Sequence, residues 1–465
     1  MRRRLLPLVL SLTLILSLVP ALAGAQSQGP TYIVQPGDTL SGIARTFGST
    51  VEQLAQINGI SDPSALQPGA ELIIPGFEGV SGVLSTHEVA YGEDLISLSR
   101  TYGLSPDVMV RLNHVVSPGS LYLGQEVILP QNDGPGAMPQ ATADLVLPGD
   151  TRLGRAVKDG LNPWALDAAN GLDYRAWLMP GSVLLAPGGD QPPNALPSPI
   201  LDVAVDPPAA VQGQVEEIHV TTSSDVALGG SLGSWALNFE SEGPDQQVAL
   251  QGVDALTDPG LYDLTVTISP AEGGDPIYSY SQPIRVRSGD YGYDPILNVP
   301  PETLDPANTV PEETFIEETV GQVTPEKLWD GAFQFPSDYY TESFPSVFGT
   351  RRNYNGTGYI RYHTGLDFYG GVGTPILAPA PGKVVFAGPL TVRGNTTIID
   401  HGWGVFTMYF HQSEFEVEPG DDVSTGQEIG KVGGTGRVTG PHLHWEVRVG
   451  GVAVDPLEWV NHVYP

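Results

Sequence analysis

Residues 440–447 read GPHLHWEV. On a β-strand, side chains at i and i+2 point to one face. His442 and His444 therefore share a face, while Leu443 points the other way, into a core. Two imidazoles side by side next to a packed apolar residue are how a β-scaffold presents metal ligands. A bare H-x-H pattern also describes a polar surface pair, so the remaining ligands have to come from elsewhere in the chain.

The chain has 465 residues, more than one hydrophobic core accommodates, and contains no cysteine. Disulfides and thiolate metal sites are excluded, so any metal is held by histidine and carboxylate. A formal net charge of −32 argues against nucleic acid as a partner, because neutralising phosphates takes Lys and Arg. It also argues against electrostatic adhesion to anionic lipid. With 57 Gly and 43 Pro, turns, short strands and linkers are expected rather than long helices.

The N-terminus has the pattern of a secretory signal peptide over residues 1–25. Arg2, Arg3 and Arg4 precede an apolar run from Leu5 to Val19, and Ala23-Gly24-Ala25 offers small residues for cleavage. No later segment is apolar enough for long enough to span a bilayer. The expectation is a secreted or cell-envelope protein, in cell wall or periplasm, with no transmembrane segment after cleavage.

Residues 35–75, 90–130 and 147–187 align with one another without a gap. Gly37, Gly92 and Gly149 coincide, as do Asp38, Glu93 and Asp150, then Asn58, Asn113 and Asn170, and the closing Pro75, Pro130 and Pro187. Such an internal repeat marks one small supersecondary unit used three times. Each copy reads as a strand, a Gly-Asp or Gly-Glu turn, two helices and a final strand. Asp38 and Asp150 are expected to cap the first helix, with Thr39 or Thr151 close by. Thr39–Phe47 carries Leu40, Ile43, Ala44 and Phe47 at helical spacing, and Glu71–Ile74 reads as a closing strand.

These copies resemble LysM modules, a family that binds N-acetylglucosamine chains of peptidoglycan and chitin. The boundaries are 31–75, 86–130 and, for a degenerate third copy, 144–187, where Arg152 replaces the Leu40 and Leu95 of the other two. The resemblance implies a βααβ fold and a glycan groove between the first turn and the loop after the second helix. In the first copy these are Gly37, Asp38, Thr39, Asn58, Gly59 and Ile60, with the repeated Asn expected to bond backbone rather than sugar.

Residues 188–199 have linker composition. Over 200–287, short alternating runs such as Tyr262–Ile268 indicate a β-sandwich-like domain with no cluster of catalytic residue types. Residues 288–338 are acidic and proline-rich, expected to be a disordered or loosely packed linker.

The stretch 362–368, YHTGLDF, sets His363 four residues before Asp367. Gly365, Gly370 and Gly371 make a helix improbable, so a strand entering a turn is expected to bring both side chains together. A catalytic zinc takes three N or O ligands and leaves a position for water. His363, Asp367 and one of His442 or His444 supply three, with the other histidine beside the water as a base. His411, in MYFHQS, is a further imidazole in a strand-like run.

Residues 343–460 carry a second resemblance, to the lysostaphin-type (LytM-like) zinc endopeptidases that cut peptide stems or cross-bridges of peptidoglycan. It rests on FGTR at 348–351, HTGLDF at 363–368, GTPILAPAPGKVVFAG at 373–388, IDHGWG at 399–404, MYFHQS at 408–413, GQEIGKVGGTG at 426–436 and GPHLHWEV at 440–447. The resemblance implies a mostly antiparallel β domain with one Zn2+ held by His363, Asp367 and His444, and with His411 and His442 as catalytic histidines. Gln412 departs from the apolar residue common in the family. Leu443 and Trp445 are expected to pack in the sheet, His401 to serve a turn, and Tyr354, Tyr359 and Tyr362 to line the groove. The alternative function is a catalytically inactive peptidoglycan-binding regulator of another hydrolase.

The expected architecture is thus multidomain: three small α+β modules, a β-sandwich-like middle and a mostly antiparallel β peptidase domain.

Overall fold

The computed structural model describes residues 29–115, 121–131, 141–173, 177–188, 196–338 and 343–465. The expected signal peptide lies outside them, as do residues 189–195 of the 188–199 linker. The described residues divide into two compact units, one ending at Ser85 with Pro130 and Gln131, the other taking the remainder. No helix among them is long and apolar enough to cross a membrane.

The first repeat forms strand Thr31–Ile33, helices Leu40–Thr46 and Val51–Ile57, and strand Glu71–Ile73. Leu40, Ile43, Ala44 and Leu54 are buried between them. The first helix is capped by Thr39, whose Oγ1 accepts from Gly42 N. Asp38 takes a different task from the expected cap: its Oδ2 accepts from Gln35 N at 2.7 Å and from Tyr32 Oη at 2.8 Å, closing the preceding turn. Thr151 likewise caps the first helix of the third copy, while Asp150 closes its turn on Leu147 N. A side chain already folded back on its own turn is not free to reach forward to the helix.

The three aligned asparagines act alike. Asn58 Nδ2 donates to Leu54 O and Ile73 O while Oδ1 accepts from Ile73 N. Asn113 does the same with Met109 and Ile128, and Asn170 with Leu166 and Leu185. Each one staples the second helix to the last strand. In the third copy, helices Arg152–Lys158 and Pro163–Ala169 lie between paired strands Ala141–Leu145 and Val183–Pro187. Arg152 is accommodated there by Asp167 at 3.1 Å and Asp173 O at 2.8 Å.

Residues 200–286 form two four-stranded antiparallel sheets. Their inward residues, among them Ile218, Val220, Leu232, Leu264 and Ile284, build one core.

Segment 288–338, expected to be a loose linker, is ordered and packed. Helix Pro306–Val320 starts with Pro at N1 behind the Asp305 cap. Ile316 and Val320 join Ile398, Phe406, Met408 and Phe410 in one cluster, and Trp329 and Phe333 enter the core of the C-terminal domain. The acidic composition misleads because one acid is structural. Buried Glu312 accepts from Val392 N at 2.7 Å and from Arg393 N at 3.1 Å.

The C-terminal domain is built on a nine-stranded sheet. Along its main path run Leu366–Phe368, Leu443–Val449, Val405–Phe415, Gly394–Asp400, Gly382–Leu390 and Asp422–Val423, and every strand pairing is antiparallel. Leu443 and Trp445 lie in its core, both almost fully buried. One edge of this sheet carries the site.

Candidate metal centre and active site

The chain turns sharply after strand Arg361–Tyr362, which pairs with Arg351–Arg352 in a separate two-stranded sheet, and enters the nine-stranded sheet at Leu366–Phe368. That bend brings His363 Nε2 to 2.9 Å from Asp367 Oδ1. The returning strand pairs with Leu443–Val449, setting Asp367 opposite His444. His444 Nδ1 then lies 2.8 Å from Asp367 Oδ1 and 2.9 Å from His363 Nε2. All three residues are buried.

The second nitrogen of each ring identifies the atom left for a ligand. His363 Nδ1 donates to Val347 O at 2.9 Å, with Ser346 Oγ at 3.0 Å, which leaves a lone pair on Nε2. His444 Nε2 faces Glu446 Oε1 at 3.1 Å, which leaves a lone pair on Nδ1. Two lone pairs and a carboxylate oxygen therefore face one another in a buried triangle. Such a donor set fits a cation, and two imidazoles with one carboxylate and an open side suit catalytic zinc. Tetrahedral zinc bonds of about 2.0–2.1 Å require ligand edges of roughly 3.3 Å, so the triangle needs to open only slightly.

Surrounding charges hold these three side chains in place. Arg352 Nη2 reaches Asp367 Oδ2 at 3.3 Å and Ser346 Oγ at 3.0 Å. Burial opposes the charge on Asp367, but its His363 and His444 partners keep it well below the usual carboxylate range. Burial likewise opposes the charge on Glu446, yet Arg448 at 2.9 Å holds it ionised. Burial pulls His363 down to about 4. Burial also works against a charged His444, but Asp367 and Glu446 raise it above its ordinary value.

Two more imidazoles converge here. His442 Nδ1 faces Gly440 O at 2.9 Å, and its Nε2 lies 3.7 Å from Asp367 Oδ1. The His411 ring centroid is 5.0 Å from that of His442, and its Nδ1 faces Thr435 O at 2.7 Å. Both rings are left with Nε2 available. Burial, with His442 and His444 adding to it, pushes His411 well below its ordinary value and so keeps it neutral.

A β-bulge aims His411. The register slips between Asn395 and Thr397, opposite Phe410 and His411, and His411 adopts a φ of +62°. Bulges of this kind re-aim a side chain, and left-handed backbone at a non-glycine residue is strained. Gln412 plugs the bulge: fully buried, its Nε2 donates to Tyr409 O at 3.1 Å and Thr397 Oγ1 at 2.9 Å.

The centre opens into a cavity of about 750 Å3, whose wall includes Tyr354 and Tyr362. Tyr359 is not among its lining residues, and its Oη donates to Asp294 O at 2.9 Å. His401 is buried elsewhere between Pro381 O at 2.7 Å and Thr407 Oγ1 at 2.8 Å, and burial lowers it to about 4. Sequence reasoning missed Arg352, Glu446 and Arg448. Glu446 had a signal, since it continues the alternation of His442 and His444 along one strand face.

In the first repeat, Gly37, Thr39 and Gly59 are exposed, Asp38 and Ile60 half-buried, and the Asn58 amide is committed to backbone. The matching turn of the second repeat is covered. Gly92 N donates to Gln282 Oε1 at 2.8 Å, Tyr91 Oη donates to Tyr280 O at 2.7 Å, and a Cβ on Gly92 would meet Leu196 at 2.6 Å.

Residues 361–456 match Peptidase family M23, and residues 32–75 and 87–130 match the LysM domain. The DD-carboxypeptidase/endopeptidase Mpg of Neisseria meningitidis is 46% identical over 97 residues, 21% of this chain and 22% of that protein. The peptidoglycan DD-endopeptidase ShyC of Vibrio cholerae is 43% identical over 111 residues, 24% of this chain and 26% of that one. The chain thus spans about a quarter of the length of these relatives. The solved antimicrobial peptidase lysostaphin of Staphylococcus simulans is 37% identical over 21% of this chain and 44% of that one, with a TM-score of 0.21, too low to bear on the fold. The C-terminal domain accordingly belongs to Peptidase family M23, joined in one chain to two LysM domains.

Proposed function

We propose that this chain is a secreted or envelope-associated zinc endopeptidase that hydrolyses peptide stems or cross-bridges of peptidoglycan and is held to the wall by its LysM repeats. The observation that carries this reading is the buried triangle of His363, Asp367 and His444 with two further imidazoles beside it. The DD-endopeptidase activity named for the relatives is extended here to this chain.

His363 Nε2, Asp367 Oδ1 and His444 Nδ1 are the atoms that would hold zinc. When bound, zinc supplies Lewis acidity toward a peptide carbonyl and a water. His442, with Nε2 free, accepts a proton as the water attacks and returns it to the leaving amine. His411 is kept neutral by burial and offers a second Nε2 in the same space. Either ring, once protonated, donates to the developing oxyanion.

The middle segment, read as a β-sandwich, acts as a spacer that also covers the turn of the second repeat. Glycan binding then rests chiefly on the first repeat, around Gly37, Asp38, Thr39, Gly59 and Ile60. The third repeat, read as a degenerate LysM module, keeps the fold with a more polar first helix. Tethering a hydrolase to an insoluble polymer raises its local concentration at the bonds it cuts.

The test is digestion of purified sacculi by the full chain, followed by mass spectrometry of the released muropeptides. The proposal expects new amino groups and loss of cross-linked species, abolished by chelator and restored by zinc. Intact cross-links after digestion by the zinc-loaded chain would favour the non-catalytic regulator.

A further inference from the structure

The cavity in front of the metal centre has a slight excess of arginine over carboxylate, five Arg against Asp294, Glu313, Asp367 and Glu446, although the chain as a whole carries a net charge of −32. Arg352, Arg361, Arg393, Arg437 and Arg448 all line it. Three of them are matched to carboxylates: Arg448 to Glu446 at 2.9 Å, Arg393 to Glu312 at 3.0 Å and Glu313 at 2.8 Å, and Arg352 to Asp367 at 3.3 Å and Asp294 at 3.4 Å. Arg361 and Arg437 have no carboxylate partner among the described residues.

Arg437 is held for use. Its guanidinium lies over the Tyr354 ring, 4.5 Å from the centroid, and Tyr354 is fixed in turn by Arg352 Nη1 at 3.2 Å. Its backbone N donates to Val392 O at 2.8 Å, while its guanidinium makes one hydrogen bond to a described residue, a long one of 3.4 Å to Thr303 O. A guanidinium stacked on an aromatic face keeps its edge available for a planar anion and loses little freedom on binding one. Burial and the nearby charges of Arg361, Arg393 and Arg352 all work against the charge on Arg437, and an anion would relieve that repulsion.

We propose that Arg437, assisted by Arg361, is a specificity subsite that binds a free carboxylate of the substrate peptide close to the scissile bond. This rests on the hydrolase reading and narrows its substrate class: peptides bearing an unmodified carboxylate are preferred over their amidated counterparts. A carboxylate suits the geometry because it accepts two parallel N–H bonds from one guanidinium.

The experiment compares two cross-linked wall peptides that differ only in whether their free carboxyl groups are amidated, each digested by the full zinc-loaded chain. The expected result is a wild-type kcat/KM roughly tenfold to a hundredfold higher for the free acid, expressed mainly in KM. Arg437→Gln brings that ratio toward one, Arg437→Lys restores part of it, and Arg361→Gln lowers it less. An active wild type indifferent to amidation overturns this inference alone, as does an Arg437→Gln chain that loses both substrates in equal proportion. A zinc-loaded wild type that cuts neither peptide overturns the hydrolase reading and this inference with it.

Discussion

His363 and His444 meet through their ring nitrogens, Nε2 of one lying 2.9 Å from Nδ1 of the other. In each ring the opposite nitrogen is committed, to Val347 O in His363 and to Glu446 in His444. The protein thus sets the tautomers before any metal arrives, which is how outer partners tune a metal site.

Glu446 is therefore expected to matter for metal affinity without touching the metal. Glu446→Gln should weaken zinc binding by about tenfold to a hundredfold, measured by competition with a chromogenic chelator. Unchanged affinity would mean that the His444 tautomer is set elsewhere.

His411 and His442 are expected to act on the proton rather than the metal. Replacing either by alanine should lower kcat by about 10²–10⁴ while zinc content, read by elemental analysis, stays near wild type. Gln412→Leu should have a smaller effect in the same direction, because it removes the amide that plugs the bulge holding His411.

The repeated asparagine predicts a local loss. Asn58→Ala leaves the N–H and C=O of Ile73 without their side-chain partner, at a cost of about 1–3 kcal/mol. Hydrogen exchange of the full chain should show the Ile73 amide exchanging much faster, with the peptidase domain unaffected.

Glu458 gives a pH signature. Burial, with Asp455 adding to it, pushes its carboxyl up to about 8. The native state then keeps a proton that the unfolded chain releases near its ordinary value of about 4.3. This contribution to stability is fully present below pH about 4.3 and is lost as pH rises through 8. Glu458→Gln should therefore raise Tm increasingly from pH 5 to 8, with no further gain above. A Tm difference independent of pH would contradict the assignment.

The convergence of His363, Asp367, His442 and His444 was legible because alternation on a strand and a glycine-enforced bend are local rules, whereas the choice of His444 over His442 as the third candidate ligand came from the family resemblance alone. His442 and His444 follow from period two, and His363 and Asp367 from the glycines around them. The repeats were legible from self-alignment alone. Three features escaped for physical reasons. Arg352 joins the site only through tertiary packing. Asp38 and Thr39 are adjacent and both able to cap, and the choice depends on Tyr32 and Gln35 claiming the aspartate. Segment 288–338 looks like a solvated tether until Glu312 finds the Val392 and Arg393 amides and Ile316 and Val320 find the sheet.

The most direct measurement is the zinc content of the purified full chain by elemental mass spectrometry, beside His363→Ala. One zinc per wild-type chain, falling to below about a tenth in the variant, is the predicted result. Wild-type protein that takes up no zinc when it is offered, or a variant that retains it, would contradict the metal centre.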